Sequence, residues 1–128
     1  MNKKIVLTAL VFGIFTIVLG AFGAHGLKQF LSAEQLLSFE TGVKYLMFHA
    51  LFLLFLANTD FVEENEKKAI FYFTIFGTLF FSGSIFLLTT KSVSGIDFKL
   101  LGPVTPFGGL LLIVAWIWLF IKILTKKR

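Results

Sequence analysis

A chain of 128 residues that is 57% hydrophobic, with 18 Phe, cannot hide its apolar surface in a water-soluble core, because a domain of this size buries only part of its area. Its net charge of +5 comes from residues clustered between apolar runs, which reads as membrane flanking and not as a nucleic-acid surface. With no cysteine, disulfides, thiolate metal sites and Cys nucleophiles are excluded, and the redox compartment stays open.

The first apolar run covers about 5–24, after Lys3 and Lys4, and contains no charge. It is longer than the apolar part of a signal peptide and further runs follow, so it reads as a true first span. Ala9, Gly13, Thr16, Gly20, Gly23 and Ala24 recur at spacings of three and four along it. Such a stripe lets helix backbones approach in lipid, and leucine at Gly20 is expected to push the helix off its neighbour. His25 emerges at the far boundary.

The second span covers about 43–57. Its helix begins near Ala33, because Ser32-Ala33-Glu34-Gln35 has the form of a capping box. Glu40 and Lys44 stand four apart in the order that favours a helix-stabilising pair, and Gly42 is a break or a weak spot. The third span, about 69–89, carries Thr74, Gly77, Thr78, Ser82 and Ser84. The fourth, about 106–124, follows Thr105 as N-cap and Pro106 at the first helical position, and opens with Gly108 and Gly109. A bilayer core of ~30 Å needs roughly 20 helical residues, and only helices or closed barrels satisfy backbone groups in lipid. The runs do not alternate as strands would. The expected fold is therefore all-α: a polytopic membrane protein, an antiparallel bundle of four transmembrane helices, with 1–128 as a single domain.

Orientation follows from the flanking cations. With both termini on one side, that side holds Lys3, Lys4, Lys67, Lys68, Lys122, Lys126, Lys127 and Arg128, against Lys28, Lys44, Lys91 and Lys99 on the other. Both termini are expected in the cytoplasm, with the chain multi-pass in the cell (inner) membrane.

At ~1.5 Å per residue, His49 lies roughly 9 Å inside the outer boundary, level with Ser82 and Ser84. Thr105 stands above them at the outer end, with His25, Glu40 and Lys44. These residues form a candidate polar layer, while Gly13, Gly20, Gly23, Gly77, Gly108 and Gly109 are the candidate packing positions. A histidine inside a span is a functional candidate because buried polar groups are costly in lipid. His49 either ties helix 2 to helix 1 or helix 3 by a hydrogen bond, or handles protons or a small solute. Haem ligation by His25 and His49 is weakly supported, since axial ligation needs facing rings. No phosphate loop, nucleophile motif or HExxH is present, and Ser82 with His49 does not make a nucleophile–base–orienter set. The expectation is no enzyme, no cofactor and no metal. The partners expected are the lipid bilayer and either further copies of the chain or a larger membrane complex, in an accessory or assembly role. The alternative is a carrier or channel using the His49 layer, against which the aliphatic inner half of the bundle counts.

Four segments carry a resemblance: GAFGAHGL at 20–27, FETGVKYLMFHAL at 39–51, FFSGSIFLL at 80–88 and LGPVTPFGGLLLIVAW at 101–116. In this order, and over nearly the whole chain, they resemble the domain-of-unknown-function 423 family of small integral membrane proteins. The resemblance implies four spans and a membrane location, and no reaction. It marks Gly23, His25, Gly26, Tyr45, His49, Ser82, Gly83, Gly102, Pro103, Pro106 and Gly109 as family-like positions. By it, Tyr45 joins the polar layer and Gly83 the packing glycines.

Overall fold

A computed structural model describes residues 2–90, 95 and 101–126. Four helices are long and apolar enough to cross a membrane: α1 (Asn2–His25), α2 (Ala33–Asn58), α3 (Glu64–Thr89) and α4 (Val104–Thr125). There is no strand among the described residues. Lys91, Lys99, Lys127 and Arg128, counted above for orientation, lie outside them.

The neighbours fix the helix directions. Gly23 of α1 faces Phe39 of α2, and Gly20 faces Val43, so these two helices run antiparallel. Gly77 meets Gly108, Ser84 meets Thr105, and Lys122 Nζ reaches Glu66 Oε1 at 3.0 Å, so α3 and α4 do the same. Lys4 Nζ donates to the Tyr72 hydroxyl at 3.0 Å, which sets the starts of α1 and α3 side by side. The start of α1 and the end of α4 therefore share one end of an antiparallel four-helix bundle.

Local chemistry explains most boundaries. Ser32 Oγ accepts from the Gln35 amide and Gln35 Oε1 accepts from the Ser32 amide, a complete capping box that starts α2 well before its apolar run. The early part of α2 is amphipathic and buries Phe39 with Leu27 and Leu31. Gly42 does not break α2: it lies inside the helix, buried where a side chain would strike Phe86.

Two boundaries differ from expectation. α3 starts at Glu64 and is not uniformly α-helical: Leu79–Gly83 form a π-turn between α-helical Glu64–Thr78 and Ser84–Thr89. α4 begins at Val104, with Pro103 in the cap position and no side-chain cap. Thr105 is thus within the helix, and its hydroxyl pairs with Ser84 instead of capping its own amides.

The core lies along α2 and α3, where Leu53, Leu56, Ile70 and Phe71 are completely buried. α1 adds Ile5 and Ala9, and α4 adds Ala115 and Leu119. α1 packs chiefly on α2, and α4 chiefly on α3. The α1–α3 and α2–α4 seams are consequently open, and each forms a groove.

At the end that holds the starts of α1 and α3, Lys67 is buried. Its Nζ donates to Asn2 Oδ1 and to the Ala57 carbonyl, each at 3.3 Å. The last carbonyls of a helix lack intrahelical partners and carry the negative end of its dipole, so an ammonium placed there satisfies both needs.

Candidate functional site

His49 is 3% exposed and bridges the otherwise open α2–α4 seam. Trp116 Nε1 donates to His49 Nε2 at 3.0 Å, and His49 Nδ1 lies 2.7 Å from the Tyr45 carbonyl. An indole N–H can only donate, so Nε2 accepts and the proton sits on Nδ1, which donates to Tyr45. Both nitrogens of a neutral imidazole are thereby used. Around the bridge, Phe52 packs on Trp116 with ring centroids 4.5 Å apart, and Tyr45 packs on Phe81 at 4.9 Å. A cleft of about 680 Å³ borders the bridge on one side, and one of about 400 Å³ borders Trp116 on the side of Gly109 and Ile113.

The residues of the candidate polar layer bond to separate partners and not to one another, apart from Ser84 with Thr105 and His49 with the Tyr45 carbonyl. His49 bonds α4 and its own helix, not α1 or α3. Ser82 Oγ donates instead to the Gly42 carbonyl at 2.8 Å, closing α3 on α2. Ser84 pairs with Thr105 and with the Phe80 carbonyl, closing α3 on α4. Equal depth does not put residues on the same side: the helical period turns Ser82 and Ser84 toward different neighbours. His25, Glu40 and Lys44 are exposed, and no ion pair joins Glu40 to Lys44 among the described residues. Tyr45 is exposed and contributes its carbonyl, not its hydroxyl. His25 at the exposed end of α1 does not face the buried ring of His49, so the two do not form an axial pair. No group of three His, Cys, Asp or Glu side chains gathers among the described residues.

The glycines divide by what a side chain would meet. At Gly23 it would strike the Phe39 ring, at Gly77 it would strike Leu112 and the Gly108 carbonyl, and at Gly108 it would strike the backbone of Phe80, Phe81 and Gly77. At Gly20 and Gly109 it would make ordinary contact, 3.5 Å from Val43 and Phe81 respectively. At Gly13 and Gly83 it would meet nothing within 4 Å. Gly20 is therefore not the tight point of α1; that place belongs to Gly23, because Phe39 fills the angle between α1 and α2.

Trp116 is the residue that sequence reading missed. The signal was present: tryptophan favours the membrane boundary, whereas this one stands near the middle of α4, where its N–H needs an acceptor.

Comparison with known proteins places these features in a family. The chain is 37% identical over 102 residues to UPF0382 membrane protein SSP2132 of Staphylococcus saprophyticus, covering 80% of this chain and 81% of that one. It is 36% identical over 116 residues to a UPF0382 membrane protein of Haemophilus influenzae, covering 91% and 89%. It is 30% identical over 132 residues to UPF0382 inner membrane protein YgdD of Escherichia coli, covering 99% and 94%. No solved structure matches. The model of the family described as "Protein of unknown function (DUF423)" matches residues 19–109, a stretch that takes in the capping box, the His49 bridge partner on α2, the π-turn and Gly108, and the chain belongs to that family.

Proposed function

We propose that the protein is a non-enzymatic accessory or assembly component of a larger membrane complex, with both termini in the cytoplasm. One observation carries this reading. Three polar side chains inside the spans are each closed by a partner of their own, His49 by Trp116, Ser82 by the Gly42 carbonyl and Ser84 by Thr105, and the unpaired Thr78 hydroxyl is sealed within the protein. A carrier or channel needs polar groups along a route through the midplane, and three closed pairs on different sides of the bundle offer none. What remains available is apolar surface. Ile14, Ile17 and Val18 on α1 and Ile113, Ile117 and Phe120 on α4 are exposed, suited to lipid and to a neighbouring protein.

The test is the mass and composition of the complex drawn gently from native membranes. A stoichiometric protein partner is expected. The chain alone, as monomer or homo-oligomer, together with a pH-dependent flux in liposomes, would overturn the reading in favour of a carrier. Orientation is tested by single-cysteine labelling, which is clean because the chain has no native cysteine. Cysteine at Ser32 is expected to react with an impermeant reagent from outside, and cysteine at Thr125 only after the membrane is opened; the reverse pattern would invert the topology.

A further inference from the structure

We propose that the exposed face of α3 binds an anionic phospholipid, with its phosphate held by Lys4, Lys68 and Tyr72 and an acyl chain laid in the groove that starts at Tyr72. The observation that leads there is a cluster of hydrogen-bond donors at the membrane boundary. Lys4 Nζ donates to the Tyr72 hydroxyl at 3.0 Å and lies 5.4 Å from the centre of its ring. Lys68 stands one turn before Tyr72 on the same side of α3, and both charges act on that hydroxyl. An accepting hydroxyl keeps its own proton to give, and each ammonium has others, so the cluster offers donors and positive charge. Both lysines are exposed, and neither has an ion-pair partner among the described residues. The acids at this end lie elsewhere. Glu66 is taken by Lys122, and Asp60, Glu63 and Glu64 line a separate cleft with Asn58 and Thr59. α1 and α3 both begin at this end, so their dipoles add to the positive potential. An accessible cluster of this kind is complementary to an anion.

What lies beyond the cluster makes that anion a lipid. Tyr72 heads a run of rings along α3. Its centroid is 6.4 Å from that of Phe76, which is 6.2 Å from Phe80, which is 5.9 Å from Phe107 of α4. These rings, with Phe73 and Leu111, line an open apolar groove of about 310 Å³. Tyr72 thus belongs to both parts, its hydroxyl to the cluster and its ring to the groove. From Tyr72 to Phe80 the helix rises roughly 12 Å. That fits within one leaflet, about half of the ~30 Å hydrocarbon core, which is the depth to which an acyl chain hangs from its phosphate. A free phosphate would use the cluster and leave the groove empty. A zwitterionic lipid would use the groove and bring no net charge to the lysines. Basic residues beside a membrane attract anionic headgroups, each lysine adding about fivefold in affinity. The site stands apart from the accessory role, and depends neither on it nor on which leaflet this end meets.

The test uses the full chain in a neutral detergent, titrated with dioctanoyl phosphatidylglycerol and followed by native mass spectrometry. Saturable binding of a single lipid per chain is expected, with phosphatidylcholine of the same chain length about tenfold weaker. Lys4→Gln and Lys68→Gln should each weaken phosphatidylglycerol binding about fivefold. Tyr72→Phe removes no charge and keeps the ring, and should also cost about fivefold, the worth of one hydrogen bond. Phe76→Ala, at an exposed position, should weaken both lipids alike, because it breaks the groove and spares the cluster. Lys126→Gln, at an exposed lysine of the same end, should leave the affinity unchanged. The proposal is overturned if Lys126→Gln weakens binding as much as Lys4→Gln, which would mean diffuse surface charge, or if Tyr72→Phe or Phe76→Ala binds as tightly as wild type. It is equally overturned if phosphatidylcholine binds as tightly as phosphatidylglycerol, or if inorganic phosphate at the same concentration displaces the lipid, which would mean that the groove holds no chain.

Discussion

Valine at position 108 is expected to leave little folded protein in detergent. A β-carbon built on Gly108 lies 2.7 Å from the carbonyl carbon of Phe80 and 2.8 Å from the Gly77 carbonyl oxygen, and it is closer still to the Phe81 amide nitrogen. All three obstacles are backbone, so no change of rotamer relieves them. α3 and α4 would have to part at their closest approach, beside the π-turn, and the Ser84–Thr105 pair would be pulled open with them. Overpacking a tight core costs about 1–3 kcal/mol, and alanine at this site should already reach that range. Valine should exceed it. Gly13→Ala is the control. Its side chain would meet nothing within 4 Å, and it removes the ~1 kcal/mol helix penalty of glycine, so its thermal stability should be unchanged or raised. If Gly108→Val melted like wild type, the two helices would not approach as described.

Trp116→Phe should destabilise the bundle by about 1–3 kcal/mol, because it keeps most of the ring packing but leaves His49 Nε2 buried without a donor. His49→Leu should do comparable harm from the other side by stranding the indole N–H. The two changes together should cost less than their sum, since the double variant strands neither group. A double-mutant cycle measures that difference. Polar ties between membrane helices average ~0.6 kcal/mol and reach ~1.7, and this one belongs toward the upper limit because few other contacts cross the α2–α4 seam. Strict additivity would mean that the bridge does not hold the seam.

The four spans were legible in the sequence because lipid imposes one rule: every backbone group is satisfied inside the segment, so an uncharged apolar run of sufficient length becomes a helix. The start of α2 was legible for a local reason, since Ser32 and Gln35 satisfy each other across three residues. The π-turn was not, because Leu79-Phe80-Phe81-Ser82-Gly83 contains nothing that forbids a regular α-helix. The role of Thr105 was misread because capping and interhelical bonding compete for one hydroxyl, and the winner depends on where Ser84 falls. The partner of His49 was missed for the same kind of reason. Depth along a helix can be counted from the chain, but the direction in which a residue points depends on which helices lie beside it. The glycines show this most plainly: Gly13, Gly20 and Gly23 lie on one stripe, yet only Gly23 faces a ring.

Lys67 has a bearing on how the molecule meets bilayers of different thickness. A lysine at a membrane boundary ordinarily adjusts its height by uncoiling its stem toward the headgroups. Lys67 does not have that freedom, because its ammonium is held on Asn2 and on the last turn of α2. Three helices are thus pinned at a common level, and the Lys122–Glu66 pair ties the fourth to them. When the hydrocarbon layer thickens or thins, this end cannot creep along one helix at a time. The mismatch is taken up by tilting the bundle as a unit or by deforming the surrounding lipid, at fractions of a kcal/mol per Å. The protein thereby carries its own vertical datum, set by one buried charge.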